Sequence, residues 1–329
     1  MVKADHRPQT GRFFILGFDG IRVPASLKKL HDCCGLGGVV LFDRNIRSAQ
    51  QLKELTRELR DLSPRHPFII SIDQEGGRFQ RLKPPHFSAF PPACDVDAET
   101  ALEIGQRMGE ELKDLGINVD FAPVLDVDTN PRNPIIGVRS FGSDPQLVAQ
   151  RGRLFIKGLE EKGVLACGKH FPGHGDTDED SHLTLPVVRK DQKALERCEL
   201  LPFKNLVQQK NHALKCLMTA HVLYPALDPG HPATFSKRIL TDLLRGEWGY
   251  EGLVISDDMG MAGALSRADL PDASVLSFAA GCDLVLVCEH HDRHEEIITT
   301  LRKAIEKSPS LQKRAEESLG RINRVFRGA

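Results

Sequence analysis

Val164-Leu165-Ala166-Cys167-Gly168-Lys169-His170-Phe171-Pro172-Gly173-His174-Gly175-Asp176-Thr177-Asp178-Glu179-Asp180-Ser181-His182 is a short apolar run that turns abruptly polar. The run 164–168 reads as a strand, and the segment from Lys169 to His182 as the loop after it, where a barrel or a doubly wound fold places its site. Two glycines and a proline argue against a buried core element in that loop. Asp180 and His182 stand at i and i+2, which in an extended segment puts both side chains on one side. A carboxylate beside an imidazole is a proton-transfer pair: the acid fixes the tautomer, and the ring gives and takes a proton near neutrality. Two other readings compete, a solvated acidic loop with surface histidines and a metal site on His170, His174 and His182. The spacing of the three histidines matches none of the usual zinc patterns.

Outward from this stretch, apolar β-branched runs alternate with amphipathic ones along the whole chain, the pattern of a parallel sheet covered by helices. Candidate strands are 12–18, 37–42, 67–72, 117–121, 164–168, 215–219, 252–256 and 283–288. Ser48 with Gln51 makes a capping-box pattern ahead of Leu52, Leu55, Leu59 and Leu62. A second helix is expected from Asp97 through Leu115, a third from Asp144-Pro145 with Asp as cap and Pro at the first position, and two more over 292–307 and 311–327. Eight strand–helix alternations in 329 residues with no internal repeat or linker predict an α/β fold, a single-domain (β/α)8 TIM barrel over residues 1–329.

A net charge of -1 disfavours a nucleic-acid or anionic-membrane partner. The eight cysteines form no C-x-x-C pair and read as reduced thiols. Lys3, Asp5, His6 and Arg7 precede an apolar run, Phe13 to Phe18, too short for a signal segment or a membrane span, so a cytoplasmic protein is expected.

A barrel places its chemistry just beyond the C-terminal ends of its strands, and unusual polar residues cluster there after five consecutive candidate strands. They are Asp73-Gln74-Glu75-Gly76-Gly77-Arg78 with Arg81; Asp126-Val127-Asp128 leading to Asn133-Pro134-Ile135-Ile136-Gly137 and Arg139-Ser140-Phe141-Gly142; the opening stretch; Thr219-Ala220-His221; and Ser256-Asp257-Asp258. Of these, Asp73 to Arg78, Asn133 to Gly137 with Arg139 to Gly142, Lys169 to Thr177, Asp180-Ser181-His182 and Ser256-Asp257-Asp258 together closely resemble the bacterial β-N-acetylglucosaminidases of glycoside hydrolase family three, from about residue 12 to the last helices. Lys-His-Phe-Pro-Gly-His-Gly is its most specific segment. The Asp258-Met259-Gly260-Met261 continuation departs from the commoner Asp-Leu-Ser-Met of the group.

The resemblance implies a (β/α)8 barrel and retaining hydrolysis of terminal nonreducing β-linked N-acetylglucosamine through a covalent glycosyl-enzyme. By resemblance Asp257 is the nucleophile, His182 the general acid/base and Asp180 its partner, while Asp73, Arg81, Arg139, Lys169 and His170 grip the sugar; no metal or cofactor is implied. A histidine suits both proton-transfer roles, and charged groups hold sugar hydroxyls with direction as well as strength. Larger relatives append a second α/β domain that supplies the acid/base, and the length of this chain favours a donor from the barrel's own loops. Peptidoglycan recycling is the expected setting. Left open are a phosphorylase of the same branch, a metal-dependent barrel hydrolase, and capping roles for Asp73 and Asp257 or a carboxylate partner for Arg139. His174 and His221 carry no assignment, and the His174–His182 loop is expected to be mobile because its glycines and polar residues give it few apolar anchors.

Overall fold

Each apolar run named above contains a strand. A computed structural model describes residues 9–209 and 213–327; Lys3, Asp5, His6 and Arg7 lie outside them. The strands are β1 (Phe14–Leu16), β2 (Gly38–Leu41), β3 (Ile69–Ile72), β4 (Val119–Asp120), β5 (Leu165–Phe171), β6 (Cys216–Thr219), β7 (Leu253–Ile255) and β8 (Val285–Val287). They form one eight-stranded sheet in the order β8-β1-β2-β3-β4-β5-β6-β7. Every neighbouring pair is parallel. Between the outer strands one parallel bridge joins Ile255 to Leu284, and the Ser256 amide donates to the Leu284 carbonyl at 3.0 Å.

The helices between them are α1 (Ala25–Cys34), α2 (Ala49–Leu62), α3 (Ala101–Asp114), α4 (Pro145–Glu161), α5 (Gln192–Arg197), α6 (Leu201–Gln208), α7 (Ala262–Leu265), α8 (Leu270–Ala280), α9 (His294–Lys307) and α10 (Pro309–Arg327), with a π-wound segment over Arg238–Glu247. At α2 the Ser48 hydroxyl accepts the Gln51 amide at 3.2 Å. The return arm of the capping box is displaced by one residue, because Gln51 takes the Arg47 amide instead. Leu52, Leu55 and Leu59 of α2 are fully buried, each burial contributing about 1.5–3 kcal/mol. Asp144 caps α4 as expected, accepting from Gln146 and Leu147. The helix expected from Asp97 begins only at Ala101: the Asp97 carboxylate takes the Glu99 and Thr100 amides and spends its capping capacity on the turn before the helix.

The largest departure falls on the fifth strand. It runs through Lys169, His170 and Phe171, all buried, rather than stopping at 168. Its register against β6 shifts between Gly168 and Phe171, an irregularity that re-aims side chains at the sheet's end. Just beyond β3, Gln74–Gly76 pairs with Phe79–Gln80 in an antiparallel hairpin. The hairpin is fixed from below, since the Gln74 amide donates to Asp120 at 3.0 Å and the Gln74 side chain accepts the Arg81 and Leu82 amides.

Candidate active site

Seven of the eight predicted site residues line one cleft of about 300 Å³ at the C-terminal ends of the strands: Asp73, Arg81, Arg139, Lys169, His170, His182 and Asp257. The eighth, Asp180, reaches it through its contact with His182.

The floor is an ion network. From β5 the Lys169 ammonium lies 2.8 Å from Asp73 and 2.7 Å from Glu75. Arg139 forks onto Glu75 with two hydrogen bonds of 2.8 Å, and Arg81 reaches Asp73 at 3.3 Å. Arg139 therefore does have a carboxylate partner, and its third nitrogen, Nη1, donates to the Ile135 carbonyl. Burial alone would raise the carboxyls, yet Lys169 and Arg81 hold Asp73 below its ordinary value, and Arg139 and Lys169 hold Glu75 far below. Lys169 moves the opposite way: burial would lower it, but Asp73 and Glu75 keep it firmly protonated. Beneath them Asp120 is buried with few partners, so burial pushes its pKa well up.

A second network carries the histidines. Asp126, fully buried, accepts the ring Nδ1 of His170 at 2.7 Å and the backbone amides of His170 and His174 at 3.1 and 2.7 Å. Burial opposes its charge, and His170 chiefly overcomes this. His174 sits between Thr177 at Nδ1 and Ser181 at Nε2, both 2.9 Å. Burial, then the neighbouring His170, pushes its pKa down to about 4. With both ring nitrogens engaged, His174 has no free donor for the metal trio considered above. Among the described residues no group of three or more His, Cys, Asp or Glu is placed to hold a metal.

Asp180 and His182 meet as expected, but in a turn rather than an extended segment. Asp180 Oδ1 accepts both the His182 amide at 2.8 Å and its ring Nδ1 at 2.7 Å. Burial works against the carboxylate, and the bonds from His182 lower its pKa nonetheless. The two adjacent acids after β7 are divided in task. Asp258 is tied to the backbone, its Oδ1 accepting the Gly260 and Cys288 amides at 3.1 and 3.0 Å, and burial leaves its pKa raised. Among the described residues Asp257 receives only the Asp258 amide, at 2.8 Å. For Asp257 burial is outweighed by His170 and His221, which keep it below the usual carboxylate range and ionised.

A model of the glycosyl hydrolase family 3 N-terminal domain matches residues 20–325. The chain belongs to glycosyl hydrolase family 3. Among similar proteins, the β-hexosaminidase of Alkalilimnicola ehrlichii is 41% identical over 84% of this chain and 80% of its own length. Beta-hexosaminidase A of Pseudoalteromonas piscicida is 36% identical over 92% of this chain. The family 3 β-N-acetylglucosaminidase of a Paenibacillus superposes with a TM-score of 0.90 at 38% identity over 97% of this chain. NagZ of Neisseria gonorrhoeae, solved with N-trifluoroacetyl-D-glucosamine, does so at 0.79 and 32% over 97% of this chain and all of its own. This chain spans about half of the Pseudoalteromonas protein, 55%, and 61% of the Paenibacillus one.

Within this family 3 site, sequence reasoning missed three residues as site members. Glu75 lay inside a quoted motif, but its partners Arg139 and Lys169 come from distant segments. Asp126 stands in the sequence as one acid among several in a loop, and nothing local gives His174 a role beyond the metal trio. His221, also unassigned, bonds the Asp258 carbonyl through Nε2 at 3.0 Å and Thr234 through Nδ1 at 2.9 Å.

Proposed function

We propose that this chain is a retaining β-N-acetylglucosaminidase releasing terminal nonreducing β-linked N-acetylglucosamine. One observation carries the reading: an ionised carboxylate, Asp257, that among the described residues makes no salt bridge with Lys or Arg shares a cleft with a carboxylate-bound imidazole, the Asp180–His182 pair. In the first step Asp257 attacks the anomeric carbon while His182 gives its proton to the departing glycosidic oxygen, forming a glycosyl ester on Asp257. In the second, His182 removes a proton from water, which attacks the same carbon and frees Asp257. Asp180 holds the Nδ1 proton of His182, so that Nε2 is the nitrogen that exchanges protons. Because the proton donor is an imidazole, the usual spacing rule between two carboxyl groups does not apply. The floor presents fixed charges from Asp73, Arg81, Arg139 and Lys169, and the His170 ring, to sugar hydroxyls. The names of the relatives support the substrate class, and the gonorrhoeal complex supports a glucosamine ring with an N-acyl group.

The same reading takes the eight parallel strands as a closed (β/α)8 barrel, with the Ile255–Leu284 bridge as its seam, and residues 1–329 as one domain. We place the activity in the cytoplasm, in peptidoglycan recycling, where thiols stay reduced; all eight cysteines are free. The test is turnover of an aryl β-N-acetylglucosaminide followed by NMR, with and without phosphate. The first-formed product is expected to be the β-anomer of free N-acetylglucosamine in both conditions. An α-anomer first, no turnover, or a sugar 1-phosphate formed with phosphate overturns the reading.

A further inference from the structure

Ser181, the residue between Asp180 and His182, is itself buried, whereas the His182 side chain is 60% exposed and Leu183 is 74% exposed. Its hydroxyl meets His174 Nε2 at 2.9 Å, and its carbonyl accepts the Gly263 amide at 3.0 Å. These two partners come from the segments after different strands, β5 and β7. His174 follows β5 and is fixed by Asp126 through its own amide. Gly263 lies in α7, in the segment that leaves Asp257 and Asp258. Gly263 is needed there for closeness: a Cβ at that position would lie 3.0 Å from His221 Cβ and 3.1 Å from both the Ser181 and Thr184 carbonyl oxygens. The segment that carries the attacking carboxylate and the turn that carries the proton donor are therefore joined at one residue.

We propose that Ser181 is a positioning residue, a latch between His174 and Gly263 that sets His182 over the anomeric centre in register with Asp257. The inference rests on the acid/base reading of His182 given above. Ser181 touches no reacting atom; it acts by restricting where the next side chain can stand, which matters because a displacement of about 1 Å can cost about a hundredfold in rate. Behind that bond Thr177 meets His174 Nδ1 at 2.9 Å, so the latch reaches back into the part of the stretch that is tied to the sheet.

The experiment compares kcat/KM of wild type, Ser181→Ala, His182→Ala and the double variant on aryl β-N-acetylglucosaminides of graded leaving-group pKa and on an alkyl one. Removing one hydrogen bond from the latch should slow the alkyl substrate about five- to tenfold and leave the most activated aryl substrate within about twofold. In the His182→Ala background the same change should have no further effect on the alkyl substrate, because Ser181 acts only through His182. Gly263→Ala, which crowds the Ser181 and Thr184 carbonyls and His221 without removing any loop side chain, should reproduce the leaving-group dependence. Equal losses on all substrates, or an undiminished Ser181→Ala effect without His182, overturn the latch. If His182→Ala itself shows no leaving-group dependence, it is the acid/base reading that fails.

Discussion

Two parts of one stretch, Lys169–His182, are held in opposite ways. The Lys169 ammonium is 3% exposed between Asp73 and Glu75, whereas the His182 ring is 60% exposed and meets Asp180 from its own turn. Between them Thr177 is fully buried, and Asn133 ties the His174 and Gly175 carbonyls. Gly175 allows this: a Cβ there would fall 1.7 Å from the Val127 carbonyl oxygen. The mobility expected for the whole His174–His182 loop is thus opposed from His174 to Thr177 and again at the buried Ser181; within the loop only Asp178, Glu179 and His182 are exposed. A floor of buried charges must be complete to be tolerated, while a proton donor must exchange with water and needs its position fixed at few points.

The sharpest way to break this contrast is Lys169→Met, which leaves Asp73 and Glu75 facing each other with less compensation. It should cost about 3–5 kcal/mol of folding stability in urea unfolding, besides abolishing turnover. A variant as stable as wild type would mean that the floor is not held by its ion pairs. On the rim the opposite is expected. His182→Ala should keep stability within about 0.5 kcal/mol while lowering kcat/KM on an alkyl glycoside about a hundredfold, with a smaller loss on activated aryl substrates. Asp180→Asn should act in the same direction, and near wild-type rates for both would remove the dyad.

Much of this was legible in the sequence. The eight strands, the caps at Ser48 and Asp144 and the cluster of polar residues at strand ends follow from local pattern, and local pattern is what a sequence displays. Lys169 and His170 look like loop because a strand is recognised by its apolar run, and nothing local reveals that their side chains are met by Asp73 and Asp126 from the segments after β3 and β4. Glu75 was unreadable for the same reason, its partners being brought to it by the sheet order. The Asp180–His182 contact was foreseen with a different backbone, because a two-residue spacing serves a turn as well as an extended segment.

Acid should separate floor and rim further. His174 is held neutral with its pKa down near 4, whereas in the unfolded chain it titrates near about 6.5. Protons therefore favour the unfolded state, and this contribution, complete above about 6.5, is lost as pH falls toward about 4. The depressed Asp73 and Glu75 add a second loss that begins only near the ordinary carboxylate values of about 4. Urea unfolding from pH 7.5 to 3.5 should show both, and His174→Asn should flatten only the upper window. An unchanged slope above pH 5 in that variant would contradict the buried neutral imidazole. The smallest effect belongs to Leu183→Ser, which should shift stability by less than about 0.5 kcal/mol because the side chain is 74% exposed. A larger loss would show the rim to be packed after all.

The account stands on Asp257 being the residue that the sugar is joined to. A fluorinated N-acetylglucosaminyl donor with a good leaving group forms the glycosyl-enzyme faster than it is hydrolysed, so the sugar stays attached. Trypsin should then release Gly246 to Arg267 heavier by one sugar, and fragmentation should place that mass on Asp257, with Asp257→Asn unlabelled and Asp258→Asn still labelled. A label on Asp258, whose carboxylate is here committed to the Gly260 and Cys288 amides, would contradict the assignment.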